Sequence, residues 1–313
     1  MKIGIVGTGY VGSTAAYCLV LQGVASEIVL VDHQPSLAAA QAMDLRDATP
    51  FCHPVLISSG DFAALAGCQL VVIAAGVSQQ PGETRLDLLQ KNALVFADIM
   101  PKIIQSASDS VFLIATNPLD IMTQVATTLA VRVGIPACRV FGSGTILDTA
   151  RFRTLLSQLF GVAPSSVHAC VVGEHGDSEV LVWSGARIAG VSLEEFAQAK
   201  GVILTEEMKR QVEQDVRGAA YKIIAGKGST YFGVGTAIAS LCRSVLYDER
   251  VAYTVCSVMP SVEGVENVAL SLPHIIGRDG IQMTVVPPLN PAEKSALRQS
   301  AEIIRVHMEK ISF

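Results

Sequence analysis

The chain has 313 residues, half of them hydrophobic and only 16% charged, a balance that suits a compact protein with room for two domains and for buried contacts between subunits. Its net charge of −5, without a long basic run, gives no footing for nucleic acid or for an anionic membrane surface. Seven cysteines, an odd number with neither CxxC nor His/Cys metal spacing, argue against a disulfide framework and a metal centre and for buried thiols in a reducing cytoplasm.

Residues 2–32, KIGIVGTGYVGSTAAYCLVLQGVASEIVLVD, read as strand, glycine turn, helix, strand. Gly7, Gly9 and Gly12 stand in GxGxxG spacing with Val11 inside the turn, and Asp32 ends the second strand twenty residues after Gly12. A glycine-lined turn lets backbone approach a pyrophosphate, and the following helix offers free amide groups and a partial positive charge. A carboxylate at Asp32 suits a ribose 2′-hydroxyl and repels a 2′-phosphate, so the expected cofactor is NAD rather than NADP. The uncharged run 3–26 behind Lys2 could also pass for a secretory signal or membrane anchor, but glycines at 4, 7, 9, 12 and 23 interrupt it.

Further along, Pro35 to Asp47 has a helical pattern, Val55 to Ile57 is a brief strand ahead of a loop at Ser58 to Asp61, and Leu70 to Ala74 is an apolar strand of the kind buried on both faces. Strands alternating with helices imply a doubly wound parallel sheet. Residues 76–85, GVSQQPGETR, then open with Gly76 a polar segment at a strand's carboxyl end, where such sheets bind ligands. A helix is expected from Leu86 to Gln105 and a strand from Val111 to Ala115 that runs into Thr116, Asn117 and Pro118. Another helix is expected from Leu119 to Ala130 and a sixth strand from Arg139 to Phe141. Gly142 to Gly144 suggests a hinge, dividing a nucleotide-binding domain, 1–143, from a mixed α+β domain, 144–313, that holds the substrate. Within the second, helices are expected at Thr145 to Phe160, Thr205 to Ala225 and Pro291 to Lys310, a strand at Val167 to Val172, and antiparallel strands around 255–286. The last helix is amphipathic, with Leu297, Ile303, Ile304 and Met308 toward the core.

GEHGDS, residues 173–178, displays His175 between glycines at the end of an apolar strand, and Asp148 and Arg151 lie three apart on one helix face. That spacing would let a carboxylate orient an imidazole while a guanidinium grips a substrate carboxylate; the bland alternatives are a structural histidine and a surface ion pair.

Taken together, GTGYVGS, PGETRLDLL, TNP, GSGTILDTARFR, GEHGDSEV and KGSTYFGVG, in this order, resemble the NAD-dependent L-lactate dehydrogenases of bacterial type over nearly the whole chain. The related malate dehydrogenases share the glycine turn, the asparagine and the histidine–aspartate pair. The resemblance implies a Rossmann domain followed by the substrate domain, and a hydride exchange between NADH and pyruvate. It makes His175 the general acid/base, Asp148 its partner, Arg151 the carboxylate anchor, Arg85 a mobile polarising residue and Asn117 a hydrogen-bonding group beside substrate and cofactor. Thr230 is implied to line the substrate pocket, Val234 to lie near the nicotinamide, and the Asn117–Pro118 peptide to be cis. An imidazole near pKa 6.5 can give or take a proton at neutral pH, and a loop that carries Arg85 and excludes water would strengthen charge interactions inside the site. Gln79 occupies the loop position where malate dehydrogenases commonly carry arginine, and with Glu83 it favours a monocarboxylate over oxaloacetate.

The nearest rival is a malate dehydrogenase; a rival of another class is a non-catalytic NAD-binding redox sensor, which predicts an incomplete site. The resemblance also implies a cytoplasmic homotetramer, and in the bacterial enzymes activated by fructose 1,6-bisphosphate an arginine and a histidine at the positions of Arg153 and His168 hold the effector's phosphates between subunits. Arg153, two residues beyond Arg151, turns about 200° from the substrate face. The same two residues could equally be an ordinary surface arginine and a strand-end histidine.

Overall fold

The computed structural model describes residues 1–77 and 85–313. Its strands and helices alternate through the first half as β1 (Lys2–Val6), α1 (Tyr10–Gln22), β2 (Glu27–Val31), α2 (Pro35–Ala48), β3 (Leu56–Gly60), β4 (Leu70–Ile73), α3 (Arg85–Ala107), β5 (Val111–Ile114), α4 (Leu119–Arg132) and β6 (Val140–Gly142). Strands β4 and β5 are buried at every residue, as a parallel sheet covered on both faces requires. The six strands run parallel in the order β3-β2-β1-β4-β5-β6. That is the doubly wound Rossmann order, with its crevice beside β1 at the carboxyl edge. The register sets that edge: Val6 pairs with both Val31 and Ile73, Ile73 with Ile114, and Ile114 with Gly142. The segments holding Gly7, Asp32, Gly76 and Asn117 therefore leave the sheet side by side.

The second half contributes α5 (Ile146–Phe160), the two-residue strands β7 (Val167–His168), β8 (Val171–Val172), β9 (Val180–Leu181), β10 (Arg187–Ile188) and β11 (Val191–Ser192), then α6 (Leu193–Lys200), α7 (Glu206–Lys227) and α8 (Phe232–Leu246). It ends in β12 (Val251–Val262), β13 (Val265–Gly277), β14 (Gly280–Thr284) and α9 (Pro291–Met308). The antiparallel β12-β13-β14 meander joins the parallel sheet through the pair Gly142–Cys256, so one nine-stranded sheet runs through both halves. Side chains alternate across this sheet into two cores. Val71, Ile73, Phe112 and Ile114 meet α3, α4 and Leu297 and Ile304 of α9, while Leu70, Val72, Val111 and Leu113 meet α1 and Ile238 and Leu241 of α8. A third cluster lies between α5 and α7 around Phe152, Leu156, Phe160, Val212 and Val216.

Several expectations need correction. The strand expected over residues 167–172 is broken into β7 and β8, which pair in different sheets. Its middle is held elsewhere, because Ala169 O accepts from Arg153 Nε and Val171 N donates to Thr149 Oγ1. The loop expected after Ile57 is strand as far as Gly60, since its backbone pairs with β2 up to Val31. The thiols are not all buried: Cys68, Cys242 and Cys256 are, whereas Cys138 is exposed. Helices α6 and α8 and strands β9 to β11 have no counterpart in the sequence reading. Of the last helix, Leu297 and Ile304 are fully buried, while Ile303 and Met308 are only partly so. Among the described residues, no helix is long and apolar enough to cross a membrane.

Candidate active site

The glycine turn between β1 and α1 separates three steric roles. Gly7 has φ +93°, and a Cβ there would run into the Ala74–Ala75 peptide; a Cβ at Gly12 would strike the Gly7 carbonyl oxygen. At Gly9 a Cβ would meet nothing within 4 Å. The first and third glycines thus allow the tight turn and the close seating of α1, and the second opens the backbone toward the crevice. Gly9 is the N-cap of α1 and no side chain caps that end, which leaves the first-turn amides, those of Tyr10, Val11 and Gly12, for a ligand. Beside the turn, Asp32 Oδ2 accepts from Thr8 N at 2.6 Å and Thr8 Oγ1 at 3.0 Å, and Oδ1 accepts from Gln34 N at 3.0 Å. Burial resists its charge, but these bonds and the adjacent His33 outweigh it and hold the carboxyl below its ordinary value. An ionised acid next to an uncapped helix N-terminus fits the ribose and pyrophosphate of a dinucleotide.

Along the same edge, Asn117 is exposed after β5 and its peptide bond to Pro118 is cis. A residue that the sequence reading passed over holds this region together. Fully buried Asn92 of α3 accepts from Val77 N at 2.8 Å and donates to Asn117 O at 3.0 Å, tying the segment after β4 to the turn after β5. A Cβ on Gly76 would collide with the methyl group of Thr116, so the backbone at Gly76 lies close against the β5 turn. Gln79 and Glu83 lie outside the described residues, and of Arg85 only its place at the start of α3 is described.

His175, Asp148 and Arg151 come together. Asp148 lies in the first turn of α5, where the helix dipole favours a carboxylate. Its Oδ2 is 2.7 Å from His175 Nδ1 and its Oδ1 accepts from Arg151 Nη1 at 2.7 Å. The loop that presents His175 is pinned at successive residues. Gly173 and Ser271 exchange backbone hydrogen bonds, Glu174 N donates to Ser300 Oγ at 2.8 Å, and His175 N donates to Asp120 Oδ2 at 2.8 Å. Asp148 keeps 3% of its side-chain surface and His175 28%, so the carboxylate is sealed in and the ring opens on one side. Burial disfavours the imidazolium, but the charge and hydrogen bond of Asp148, reinforced by Asp120 and Glu179, push the imidazole up to about 9. For Asp148, burial is likewise outweighed by His175 and Arg151, and its pKa is lowered. With Nδ1 facing Asp148, Nε2 is the nitrogen free to exchange a proton with a bound molecule.

Nearby, Glu179 is 3% exposed; burial and the Asp148 charge push it up to about 8, and its Oε1 has no hydrogen-bond partner among the described residues. Thr230 lies half-buried in the connection between α7 and α8, and Val234 is partly buried on α8, packed against the core that also receives α1. Arg153 and His168 line a different region, a surface groove of about 900 Å³ that also includes Leu147, Phe232 and Tyr253. Arg153 is half-buried, with burial lowering its pKa, and its Nε donates to Ala169 O at 2.8 Å; His168 is exposed.

The family model described as lactate/malate dehydrogenase, NAD binding domain, matches residues 1–142, and that described as lactate/malate dehydrogenase, alpha/beta C-terminal domain, matches residues 145–312. The chain is 58% identical over its full length to all of the L-lactate dehydrogenase of Thermus aquaticus, and 48% identical to that of Geotalea daltonii, again with 100% of both chains covered. It is similar to the crystal structure of a lactate dehydrogenase from a Medee basin deep-sea metagenome library, with TM-score 0.94, 35% identity and 99% and 98% of the two chains covered. A ligand-bound minor L-lactate dehydrogenase from Enterococcus mundtii also matches at TM-score 0.94, with 34% identity and 100% and 98% coverage.

Proposed function

The chain belongs to the lactate/malate dehydrogenase family, and from that membership we propose that it is an NAD-dependent L-lactate dehydrogenase interconverting pyruvate and L-lactate. The observation that carries the reading is the His175–Asp148–Arg151 cluster, which holds a proton donor and a carboxylate anchor on one buried acid. When bound, the nicotinamide supplies or accepts the hydride at the substrate's C2. The protein's own residues do the rest. His175 Nε2 gives a proton to the carbonyl oxygen during reduction and takes it back during oxidation. Asp148 holds the ring through Nδ1 and stabilises its charged form, and Arg151 pairs with the substrate carboxylate. Arg85 polarises the carbonyl, Asn117 and Thr230 border the substrate, and Gln79 selects a monocarboxylate. Gly7, Gly9, Val11, Gly12, Asp32 and Gly76 form the cofactor's seat, within a nucleotide-binding unit of residues 1–143 set against a substrate unit of 144–313.

At the next level, this reading includes a cytoplasmic homotetramer in which the groove holding Arg153 and His168 faces a neighbouring subunit and receives fructose 1,6-bisphosphate. The placement of both side chains on one broad, mainly apolar groove supports it. The activity is tested by initial rates with NADH or NADPH against pyruvate and oxaloacetate. The expected result is a kcat/KM for NADH and pyruvate that far exceeds the other three pairings. A preference for oxaloacetate would make the chain a malate dehydrogenase, and tight NADH binding without turnover of either acid would leave a cofactor-binding sensor.

A further inference from the structure

Behind the His175 backbone stands a carboxylate to which the proposed proton transfer gives no part. Asp120 lies in the first turn of α4, two residues after the Asn117–Pro118 bond, and is 3% exposed. Its Oδ2 accepts the His175 backbone N–H at 2.8 Å, its Oδ1 is buried without a hydrogen-bond partner among the described residues, and the Cys256 thiol faces the same carboxyl. A neutral acceptor would hold one amide as well, without the cost of burying a charge that keeps so few donors. The Cys256 thiol and the imidazole beside it both offset part of this cost, and of the two only the imidazole has a positive form for a second carboxylate to favour.

We propose that Asp120 is a positioning residue for the reaction, fixing the His175 backbone while its negative charge behind the ring biases the imidazole toward the form that donates a proton. The inference rests on the dehydrogenase reading for its catalytic consequence, but its electrostatic half stands by itself. Burial raises the Asp120 carboxyl to about 6, which leaves it mostly ionised at neutral pH. Among the described residues, the other charged or titratable groups near the ring are Asp148 and Arg151 from α5, Glu174 and Glu179 from its own loop, Arg217 of α7 against Glu179, and His307 of α9. With Asp120 and Glu174, His307 lines a cavity of about 20 Å³ behind His175. Asp148 provides the larger effect and touches the ring, whereas Asp120 acts through the backbone and through space.

The test compares the full-length protein with Asp120→Asn and Asp120→Ser, neutral side chains that each retain an acceptor, and with Asp120→Ala, which retains none. Two quantities are read: the pH profile of kcat/KM for pyruvate reduction, and the imidazole titration of His175 by NMR, assigned with His175→Asn. In both neutral acceptor variants the midpoint of each curve is expected to fall by about one unit, with NADH binding unchanged. Asp120→Ala is expected to add a loss in kcat of about tenfold or more, as the ring loses its fixed position. A purely structural acid would move neither midpoint, so curves that coincide with the parent's in a folded neutral variant overturn the inference. If the parent protein does not turn over pyruvate at any pH, the functional reading fails, and the NMR titration still decides the role of Asp120.

Discussion

At the scale of single residues, the chemistry turns on one proton. Because the His175 imidazole is pushed up to about 9, it carries its proton throughout the neutral range and loses it only as pH rises through that value. Pyruvate reduction uses the protonated ring, so its kcat/KM is expected to stay level near neutrality and fall above pH of about 9; lactate oxidation uses the neutral ring and is expected to rise over the same interval. Replacing His175 by Asn should remove both limbs and lower kcat by about a hundredfold or more, with NADH affinity retained by fluorescence titration. Near-normal turnover would take His175 out of the mechanism. Specificity belongs to this scale as well. Gln79→Arg should raise the oxaloacetate-to-pyruvate ratio of kcat/KM by about tenfold or more, since a guanidinium can pair with a second carboxylate that a neutral amide cannot hold. An unchanged ratio would move the specificity position elsewhere in the 76–85 segment.

Among the elements, the β1–α1 turn gives a contrast within six residues. Gly12→Ala drives a methyl group into the Gly7 carbonyl and is expected to lower stability by about 1–3 kcal/mol, read as a fall in melting temperature. Gly9→Ala meets no protein atom within 4 Å and sits at φ −66°, so it should leave melting unchanged while weakening NADH about tenfold or more. Equal losses of stability would show that the second glycine is needed by the fold and not by the ligand. This turn and Asp32 were legible in the sequence because their chemistry is local: the spacing of glycines and the acid at a strand's end are both fixed within one strand–helix–strand unit. Asp148 and Arg151 were legible for the same reason, being one helical turn apart. Asp120 and Asn92 were not, because their partners His175 and Asn117 lie 55 and 25 residues away and only the folded sheet edge brings them together. Helix α8 was not legible because glycines at 233 and 235 stand in its first turn and only Thr236, Ser240 and Arg243 mark its solvent face. The second glycine lets it press against Thr14 and Ala15 of α1, a packing reason that no periodicity displays.

For the whole molecule, the groove lined by Arg153 and His168 carries the regulatory part of the reading. In the proposed tetramer, like charges brought together across a symmetry axis would disfavour the active assembly until a dianionic phosphate neutralised them. Fructose 1,6-bisphosphate is therefore expected to shift the pyruvate saturation curve to lower concentration between pH 6 and 7.5 and to favour the tetramer in sedimentation. Superimposed curves and an unchanged assembly would leave Arg153 and His168 as structural residues.

The sheet carries another consequence at this scale. Strand β6, buried along its length, has β5 on one side and β12 of the second half on the other, and both sheet cores draw side chains from the two halves. A gene cut at Gly144 would yield two fragments, each with a naked strand edge and an unfinished apolar layer, the surface on which chains stack into aggregates. The junction after β6 is thus a poor place to sever the chain, and either piece expressed alone is expected to aggregate.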